Sequence, residues 1–576
     1  MQFSQEAAPL SPDQIFNIFR CRLQEKRDIF SLPFLIVFSS AISFVRLEDT
    51  VSFSQADEAV YMRIAFEMLQ RHDFWAPTWF GDYAFYKPPL AYWLIMCSYS
   101  LCGVTEMAAR IPSAFSAVFT SVFTFLIGRR LFDERAGLLS GLIVATAYGS
   151  IVYGHSAMMD LPLVCLMTGA LLCFLFAADS RPAYLMMFFV MTGASCLVKG
   201  PVSAVIIAIA VLSWCAIFRD FRAFRTPLTI AGVSVIIALN ALWPAVLSQR
   251  GLFDNWLLFF IFRENAGKFS DTAQYSPFII PGYLLLYMLP WTGLYIASLA
   301  ETIITERYRV RGIALLLLYT AAVFAVYLIP HVRHQYYVLP VIPAASLLIA
   351  GTFHRSRLTS FPLYGRVLTC IPIIGSMALL PFVARLFGYG AISIPVALIE
   401  LLLAAACAGL FADFHNVGRL MSEPGASTAI CAGLAFTVFS IAVPSYSFDI
   451  FPPSAQKALT SNEFAVAGYE PHIFAQRLGK RGIRIHKAYR ANDFLERGSC
   501  IVLSGSLMES FRQAGEDSLI PVRILASWRY WKSSISAADL LSALGSGDMD
   551  SLTEEHFAIE KKQRIPIAAD SPESAL

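Results

Sequence analysis

Two adjacent acidic residues follow the first long apolar segment of the chain. Asp57 and Glu58 open a polar loop that is rich in aromatic residues. A carboxylate beside a bilayer is costly to desolvate, so it is expected only where water or a charged ligand compensates. The pair is therefore a candidate for acid–base chemistry. Its structural alternative is a helix start, with Asp57 as N-cap and Glu58 as a first-turn acid.

Further ionic side chains lie where apolar segments end. They are Lys87, Asp160, Lys199, Arg263, Lys268, Arg333 and His334. Cations suit an anionic lipid headgroup and carboxylates suit a sugar or its acceptor, so their convergence would make a catalytic cavity. Ordinary external loops could carry the same charges, and Lys87, which precedes two prolines, could instead reach the interface by snorkelling. Asp160 could instead be an N-cap paired with Lys199.

The composition is that of a polytopic membrane protein. The 576 residues are 57% hydrophobic and only 15% charged. Apolar runs of about 17 to 25 residues recur as far as residue 445, and each is long enough to cross a bilayer as a helix. About thirteen spans are predicted. They lie near 30–46, 111–128, 136–152, 161–178, 183–198, 201–217, 228–247, 278–300, 312–330, 336–352, 367–384, 391–412 and 427–445.

Basic residues set the expected orientation. No secretory signal peptide is evident, and the stretch from Arg20 to Arg27 precedes an uncleaved first helix. Every second connection is rich in arginine, which predicts a cytoplasmic amino terminus and places the ionic residues above outside. An odd number of spans then places the carboxyl-terminal region outside as well.

Two long external connections are predicted. The first, 46–110, contains an amphipathic stretch in which Ile64, Ala65 and Met68 share one face while Glu67 and Arg71 point elsewhere. Such a helix would lie in the membrane interface. The second, about 249–277, is rich in phenylalanine and should lie at the headgroup level.

The composition changes after Pro444, which predicts a boundary between a membrane domain at 1–445 and a soluble α/β domain at 446–576. Strands are predicted at Cys500–Leu503 and Pro521–Trp528. Helices are predicted at His472–Leu478, Ser506–Ala514 and Ala537–Leu544. The composition from about Glu560 onward is typical of a disordered tail.

Six segments, in order, resemble one superfamily. They are the long segment Asp57–Leu94, MMDLP at 158–162, LVKG at 197–200, FRENAGKF at 262–269, LPW at 289–291 and RHQYYVLP at 333–340. This set is similar to that of bacterial polyprenyl-phosphate-sugar-dependent glycosyltransferases. The superfamily includes the aminoarabinose transferase of lipid A and the dolichyl-phosphate-mannose protein mannosyltransferases. The resemblance covers roughly residues 30–350.

The resemblance implies a membrane all-α fold of the GT-C type and transfer with inversion from a polyprenyl phosphate on the periplasmic face. Asp57 matches the essential acid of these enzymes, which would be a general base towards a hydroxyl acceptor or would orient the site for a phosphate acceptor. The candidate catalytic residues are Asp57, Glu58 and Asp160. The candidate donor-phosphate residues are Lys87, Lys199, Arg263, Lys268, Arg333 and Tyr337.

Departures from the family pattern bear on specificity. Relatives commonly carry arginine at the position of Lys268 and lysine at that of Arg333, so the phosphate contacts should differ in geometry. Aminoarabinose transferases typically have Glu-Lys-Pro where this chain has Tyr86, Lys87 and Pro88, which favours a neutral sugar. No metal site is assigned, although His155 and His334 with Asp57 and Asp160 could surround a divalent ion.

The sequence therefore predicts an inner-membrane glycosyltransferase with lipid A or another envelope glycolipid as acceptor. A periplasmic protein is the alternative acceptor. Membrane lipids are expected partners and nucleic acid is not. No nucleotide cradle appears, which suits a lipid-linked donor. The rival interpretations are a transporter or flippase, with mid-span charges, broken helices and internal symmetry as its marks, and an inactive envelope scaffold.

Overall fold

The structure is a computed structural model of the whole chain. It describes residues 31–45, 47, 56–79, 81–179, 181–270, 276–355, parts of 367–377, 394–411, 431, and five strands between 463 and 561. These residues divide into two units. The membrane unit comprises Met1–Ser52, Met68–Pro77 and Tyr83–Pro444, and the second unit comprises Phe53–Glu67, Thr78–Asp82 and Ser445–Leu576.

Helices dominate the chain as far as residue 411. In chain order they are α1 (Ser31–Phe44), α2 (Ala56–Gln70), α3 (Leu90–Cys102), α4 (Glu106–Leu131), α5 (Glu134–Thr146), α6 (Tyr148–Gly154), α7 (Asp160–Ala178), α8 (Pro182–Lys199), α9 (Val202–Ile217), α10 (Pro227–Gln249), α11 (Phe253–Trp256), α12 (Gly267–Ser270), α13 (Ile279–Tyr287), α14 (Thr292–Ile304), α15 (Arg311–Leu328), α16 (Val341–Arg355) and α17 (Ile394–Phe411). A π-helical segment, Leu257–Ala266, joins α11 to α12, and short 3-10 turns lie at Arg222–Phe224, Arg307–Arg309 and Gln335–Val338.

Among the described residues, five helices are long and apolar enough to cross a membrane. The number rises to as many as seven if each of two bent pairs counts as one span. The predicted number of about thirteen is therefore not confirmed. Of the predicted spans, 427–445 lies almost wholly outside the described residues, as does much of 367–384.

The two bent pairs correct the prediction of single continuous spans. Helices α5 and α6 meet at 58°, and α13 and α14 meet at 114°. The breaks brace each other, because the Tyr148 amide donates to the Leu289 carbonyl at 2.9 Å and the Trp291 indole donates to the Thr146 hydroxyl at 3.0 Å. Pro290 lies in the second break and cannot donate a backbone hydrogen bond to a continuous helix.

Helix α3 was not predicted. Its 13 residues are strongly apolar, but they lie within the stretch interpreted as a polar external loop. A run of this length is shorter than the roughly 17 residues required of a span, so the length of apolar runs does not predict this helix.

Helices α4 and α5 cross with almost no side chain between them. A Cβ placed on Gly137 would lie 2.7 Å from the Phe125 carbonyl oxygen and 2.9 Å from the Arg129 nitrogen. Close approach through small residues is a common way for helices to pack in membranes.

We expect Gly137→Ala to lower the free energy of unfolding by about 1–3 kcal/mol, because the added methyl group meets backbone atoms that cannot move without opening the crossing. Thermal unfolding of the purified protein in detergent measures the loss. Gly282→Ala is the matched control, since a Cβ there meets nothing within 4 Å. Equal melting temperatures for the two variants would show that the crossing tolerates a methyl group.

The two ends of the membrane unit carry different charges. Helix α7 begins at Asp160 and α8 returns to end at Lys199, so these residues share one end. At the opposite end Arg130 pairs with Asp179, and Asp220 accepts hydrogen bonds from Arg222 and Arg311 at 2.9 Å each. One end is thus rich in arginine, and the other holds buried lysine–carboxylate pairs.

The second unit contains a mixed five-stranded sheet. Its strands are β3 (Glu463–Ala467), β4 (Arg481–Ile485), β5 (Cys500–Ser504), β6 (Val522–Trp531) and β7 (Thr553–Lys561), after the short strands β1 (Thr78–Trp79) and β2 (Asp82–Tyr83) earlier in the chain. The order is β4-β3-β5-β7-β6, with β3 parallel to β4 and β5 and with β7 antiparallel to β5 and β6.

The strands β5 and β6 were predicted, and β3, β4 and β7 were not. Strand β7 runs through Glu560, where a disordered tail was expected to begin. The three helices predicted in this domain lie outside the described residues, and the domain boundary at 446 stays a prediction.

Candidate functional site

An aromatic cluster holds the turn that presents Lys87. Buried Phe85 packs against Trp243 with ring centroids 6.2 Å apart, and Trp243 packs against Phe260 at 5.4 Å. The Trp243 indole also donates to the Trp75 carbonyl at 2.8 Å. Such edge-on aromatic contacts stabilise beyond the area they bury. The chain around Lys87 is thereby fixed to α10 and to the π-helical segment.

The prolines beyond Lys87 restrict the turn further. Pro88 and Pro89 are buried, and α3 begins directly after them at Leu90. Their fixed φ angles leave the backbone little freedom. Tyr86 lies edge-on against Phe259 at 5.0 Å. The Lys87 ammonium group therefore projects from a rigid support.

Glu264 joins two lysines that are distant in sequence. Its Oε1 atom accepts a hydrogen bond from the Lys87 ammonium group and another from Lys268 Nζ at 3.0 Å. The three side chains are only 10–25% exposed. The π-helical backbone, a form often found at functional sites, carries Glu264 at the point where α12 begins.

Burial and neighbouring charges shift the pKa values of Lys268 and Glu264. The pKa of Lys268 is lowered to about 8: burial is the largest cause, the neighbouring charge of Lys87 acts in the same direction, and Glu264 opposes both. Burial raises the pKa of Glu264, but the two lysines outweigh it and hold the carboxyl below its usual pKa. Glu264 is therefore ionised at neutral pH.

A second buried ion pair links the ends of α7 and α8. Lys199 Nζ donates to Asp160 Oδ1 at 2.5 Å, and the side chains are 9% and 4% exposed. Gly200 directly follows Lys199 with φ +92° and ends α8, a conformation that residues with a Cβ rarely adopt. The end of the helix therefore fixes Lys199 beside the first residue of α7.

Aromatic rings surround the Lys199 ammonium group. Its Nζ lies 4.3 Å from the centroid of Tyr336 and 5.1 Å from that of Tyr337. Tyr337 stacks on Tyr327 at 4.3 Å. Cation–π contacts in a desolvated setting contribute about 2 kcal/mol. Tyr336 and Tyr337, in the turn before α16, therefore contact Lys199 directly, and Tyr327, near the end of α15, supports Tyr337.

The two ion pairs belong to one electrostatic cluster. Lys199 is close enough to Lys268 that its positive charge helps to lower the pKa of Lys268. Backbone contacts extend the cluster, since the His331 amide donates to the Lys268 carbonyl at 3.0 Å. We call Lys87, Glu264, Lys268, Lys199 and Asp160 the lysine–carboxylate cluster. Its three ammonium groups are of the type that binds anionic groups such as phosphate.

We expect Lys199→Met to destabilise the protein by about 3–5 kcal/mol, because it leaves the Asp160 carboxylate buried without its cation. The double variant Asp160→Asn with Lys199→Met should lose less than the single variant. Thermal unfolding of the three proteins in the same detergent measures both effects. A single variant as stable as the parent would mean that Asp160 is solvated or held by other groups.

The structure brings five predicted site residues into this neighbourhood: Lys87, Asp160, Lys199, Lys268 and Tyr337. The Asp160–Lys199 pairing was one of the possibilities raised from the sequence. Asp160 is the first residue of α7 and Met159 is the N-cap, so Asp160 is not itself the cap.

For Arg263 and Arg333 the structure shows other contacts. Arg263 is exposed, with its guanidinium group 5.2 Å from the centroid of Phe259. Arg333 is half-buried, and its Nη2 donates to the Leu328 carbonyl at the end of α15 at 2.8 Å. Their roles as phosphate-binding residues stay predictions.

Asp57 and Glu58 lie in the first turn of α2, within the second unit. The helix begins at Ala56, so Asp57 is inside it and the N-cap interpretation is wrong. Glu58 is buried, with 2% exposure. Whether this pair acts on the same substrate as the lysine–carboxylate cluster stays a prediction.

Glu67 corrects the prediction for α2. It was expected to face away from the apolar stripe, but it is buried and accepts hydrogen bonds from Arg63 Nε at 2.7 Å, the Thr78 hydroxyl at 2.8 Å and the Gly81 amide at 3.1 Å. Buried carboxylates require such partners. These contacts fix α2 to the residues that follow it.

Possible metal ligands are not grouped in the described part of the chain. No cluster of three or more His, Cys, Asp or Glu side chains there could hold an ion. His155 contacts the carbonyls of Ile151 and Val45 at 2.8 and 3.3 Å. His334 stacks on Tyr336 at 5.0 Å. The donor set proposed from the sequence therefore has its histidines in other contacts.

Sequence analysis missed Glu264 and Tyr336 as site residues. Glu264 precedes Lys268 by four residues, a spacing that is usual for a surface ion pair on a helix, so it gave no signal of a site. Its contact with Lys87 joins residues 177 positions apart. Tyr336 lies inside the RHQYYVLP segment, where only Tyr337 had been selected.

Comparisons with known proteins find similar chains. The family described as dolichyl-phosphate-mannose-protein mannosyltransferase matches residues 86–246, from Tyr86 into α10. The undecaprenyl phosphate-alpha-4-amino-4-deoxy-L-arabinose arabinosyl transferase of Yersinia enterocolitica is 27% identical over 52% of this chain and 54% of its own length. An uncharacterised protein of Aquifex aeolicus is 25% identical over 52% of this chain and 60% of its own.

A solved structure is similar in fold over most of this chain. ArnT from Cupriavidus metallidurans, bound to undecaprenyl phosphate, superposes with a TM-score of 0.71 at 19% identity, covering 91% of this chain and 97% of that one. These comparisons support the resemblance to polyprenyl-phosphate-sugar-dependent glycosyltransferases that the sequence motifs indicated. The chain has the GT-C fold, as the resemblance implied. The chain spans just over half the length of the curated relatives that it matches.

Proposed function

We propose that the protein is an integral-membrane glycosyltransferase that moves a sugar from a polyprenyl phosphate to an acceptor at the membrane surface. The observation that carries the proposal is the lysine–carboxylate cluster. It places three buried or partly buried ammonium groups where apolar helices end. A lipid-linked phosphate has its charge at that depth and its chain in the bilayer.

The cluster suits the chemistry of the leaving group. In transfer, an acceptor oxygen forms a bond to the anomeric carbon, the bond from that carbon to the phosphate oxygen breaks, and the electron pair stays on the phosphate. Ammonium groups fixed beside that phosphate stabilise the charge that develops. The acceptor proton goes to a base, a role that the superfamily resemblance assigns to Asp57.

The acceptor is proposed from the named relatives. Several curated relatives are named as undecaprenyl phosphate-aminoarabinose transferases, which supports lipid A or a related envelope glycolipid. The matched family description supports a protein hydroxyl as the second candidate. Tyr86 beside Lys87 supports a neutral sugar, because its aromatic ring contacts Phe259 and offers no carboxylate to a sugar amine.

We place the cluster on the periplasmic face of the bacterial inner membrane. The opposite end of the membrane unit carries arginines on several connections, including Arg129, Arg181 and Arg225. Positive connections are normally retained in the cytoplasm. Labelling of single cysteines at the two ends in intact cells tests the placement.

We expect activity to fall as pH rises through about 8, because Lys268 then loses its proton and with it the positive charge that binds phosphate. Below that pH the ammonium form persists and the rate should be flat on this side of the profile. The measurement is kcat/KM against pH. Lys268→Arg should remove the fall, since arginine stays protonated, and a fall that persists in this variant would assign it to another group.

Mass spectrometry of lipid A and of periplasmic glycoproteins, with and without the gene, tests the proposal and identifies the acceptor. Loss of one sugar mass from lipid A supports the glycolipid acceptor, and loss from proteins supports the protein acceptor. Unchanged masses in both classes, in cells that make the protein, would contradict a glycosyltransferase acting on the envelope.

The break between α13 and α14 supports a transporter as the second candidate function, since broken helices are typical of transporters. The charges argue for the enzyme, because Asp160 and Lys199 lie at helix ends and not at mid-span. Uptake of a solute into vesicles that contain the purified protein, with no glycosylated product, would reverse the assignment.

A further inference from the structure

Glu264 is the unusual member of the lysine–carboxylate cluster. A site for an anionic phosphate gains from cations, yet this carboxylate contacts both Lys87 and Lys268 through one oxygen atom. It is ionised, because the two lysines hold its pKa below the usual value in spite of burial. Its negative charge therefore partly neutralises the two ammonium groups that would bind phosphate.

The carboxylates set the net charge of the cluster. Three lysines and two carboxylates leave one positive charge. Lys199 and Asp160 neutralise each other within a buried pair, so the surplus comes from Lys87, Lys268 and Glu264. Without Glu264 that half of the cluster would carry two positive charges.

The donor and the product of the proposed reaction differ in charge. A sugar linked through phosphate to a polyprenyl chain is a phosphodiester with one negative charge. The polyprenyl phosphate that remains is a monoester, and its second ionisation near pH 6 gives it close to two negative charges at neutral pH. A site with two positive charges would favour the product, and one with a single positive charge is matched to the donor.

We propose that Glu264 is a specificity-determining counter-ion that makes the cluster favour a phosphodiester donor over the monoester product and so promotes product release. This inference rests on the proposed function, because it names which charge state of the lipid phosphate the site prefers. After the anomeric bond has broken, Glu264 repels the second charge that the free phosphate carries. The expected consequence of losing Glu264 is a product that stays bound.

The test compares two probes on the purified protein at pH 7: undecaprenyl phosphate and its methyl ester, which is a diester with one charge. Glu264→Gln keeps the size of the side chain and removes its charge. We expect the ratio of the monoester Kd to the diester Kd to fall about tenfold, which corresponds to about 1.4 kcal/mol. Glu264→Asp should keep the parent ratio.

Two further variants make the comparison decisive. Loss of Glu264 also removes support for a protonated Lys268, so the substitution is repeated in a Lys268→Arg background, where the cation cannot lose its proton. Glu306→Gln is the matched control, since Glu306 is exposed and pairs with Arg309 at the arginine-rich end. Melting temperatures show that each variant is folded.

The outcomes separate the two claims. A Kd ratio that falls with Glu264→Gln in both backgrounds and stays at the parent value in Glu306→Gln supports the inference. A ratio that does not change in either Glu264→Gln protein overturns it, while the proposed function stands because both probes bind. If neither probe binds the parent protein, the proposed function fails and the inference fails with it.

Discussion

Asp57→Asn is expected to reduce sugar transfer to a hydroxyl acceptor by about 10²–10⁴-fold, the usual contribution of a positioned general base. Asparagine cannot accept the acceptor proton, although it preserves the size of the side chain. Folding should persist, because a first-turn acid on a helix contributes only about 0.3–1 kcal/mol through the helix dipole. The measurement is the initial rate of transfer by the purified variant, with its melting temperature beside it.

Asp254→Asn is the control for this prediction. Asp254 also lies in the first turn of a helix, α11, and is exposed. Its variant should transfer sugar at the parent rate. If Asp57→Asn matched that rate, Asp57 would have no part in the proton transfer, and the role carried over from the superfamily would belong elsewhere.

The double variant Lys87→Met with Lys268→Met is expected to lower kcat/KM for the donor by about 10³-fold. Each lysine would make a charge-assisted hydrogen bond to phosphate, worth about 1.5–3 kcal/mol. Their loss also leaves the Glu264 carboxylate to repel the donor. Steady-state kinetics with varied donor concentration measure the effect.

Two comparisons sharpen this prediction. Adding Glu264→Gln to the double variant should recover part of the loss, because it removes the repulsion. Arg309→Met removes an exposed cation at the opposite end and should not change the kinetics. A double variant with near-parent kcat/KM would show that the donor phosphate binds outside the lysine–carboxylate cluster.

The sequence predicted much of the fold because membrane helices follow a simple physical rule. Long apolar runs must form helices to satisfy their backbone groups, and α4, α7, α8, α10 and α15 lie close to their predicted positions. The rule fails where the length of an apolar run does not show whether it forms one continuous helix. Helix α3 is too short to qualify, and the predicted span 278–300 conceals the sharp break between α13 and α14.

The site was predictable to the extent that charge near a membrane is costly. Lys87, Asp160, Lys199 and Lys268 were selected because each ionic group there requires a partner or a ligand. Their partners were harder to predict. The contact of Lys87 with Glu264 depends on how the aromatic cluster packs the chain against α10 and the π-helical segment. Residue spacing does not predict such a long-range contact.

Residue type alone predicts the wrong environment for one residue of α2. Glu67 was assigned to the polar face because glutamate is usually solvated, but Arg63 and Thr78 satisfy it in a buried position. Residue type also limits the prediction of strands, because a strand without the usual strand-forming residues is missed. β5 and β6 are rich in β-branched and aromatic residues, whereas β7 carries several charges and lacks that signal.

The most direct measurement is photo-crosslinking with an undecaprenyl phosphate analogue that carries its photoreactive group next to the phosphate. Peptide mapping should place the crosslinks on the turn around Lys87 and on the segment 257–270, and excess undecaprenyl phosphate should suppress them. Crosslinks confined to other segments, or crosslinks that excess lipid phosphate does not reduce, would contradict the claim that the lysine–carboxylate cluster binds the donor.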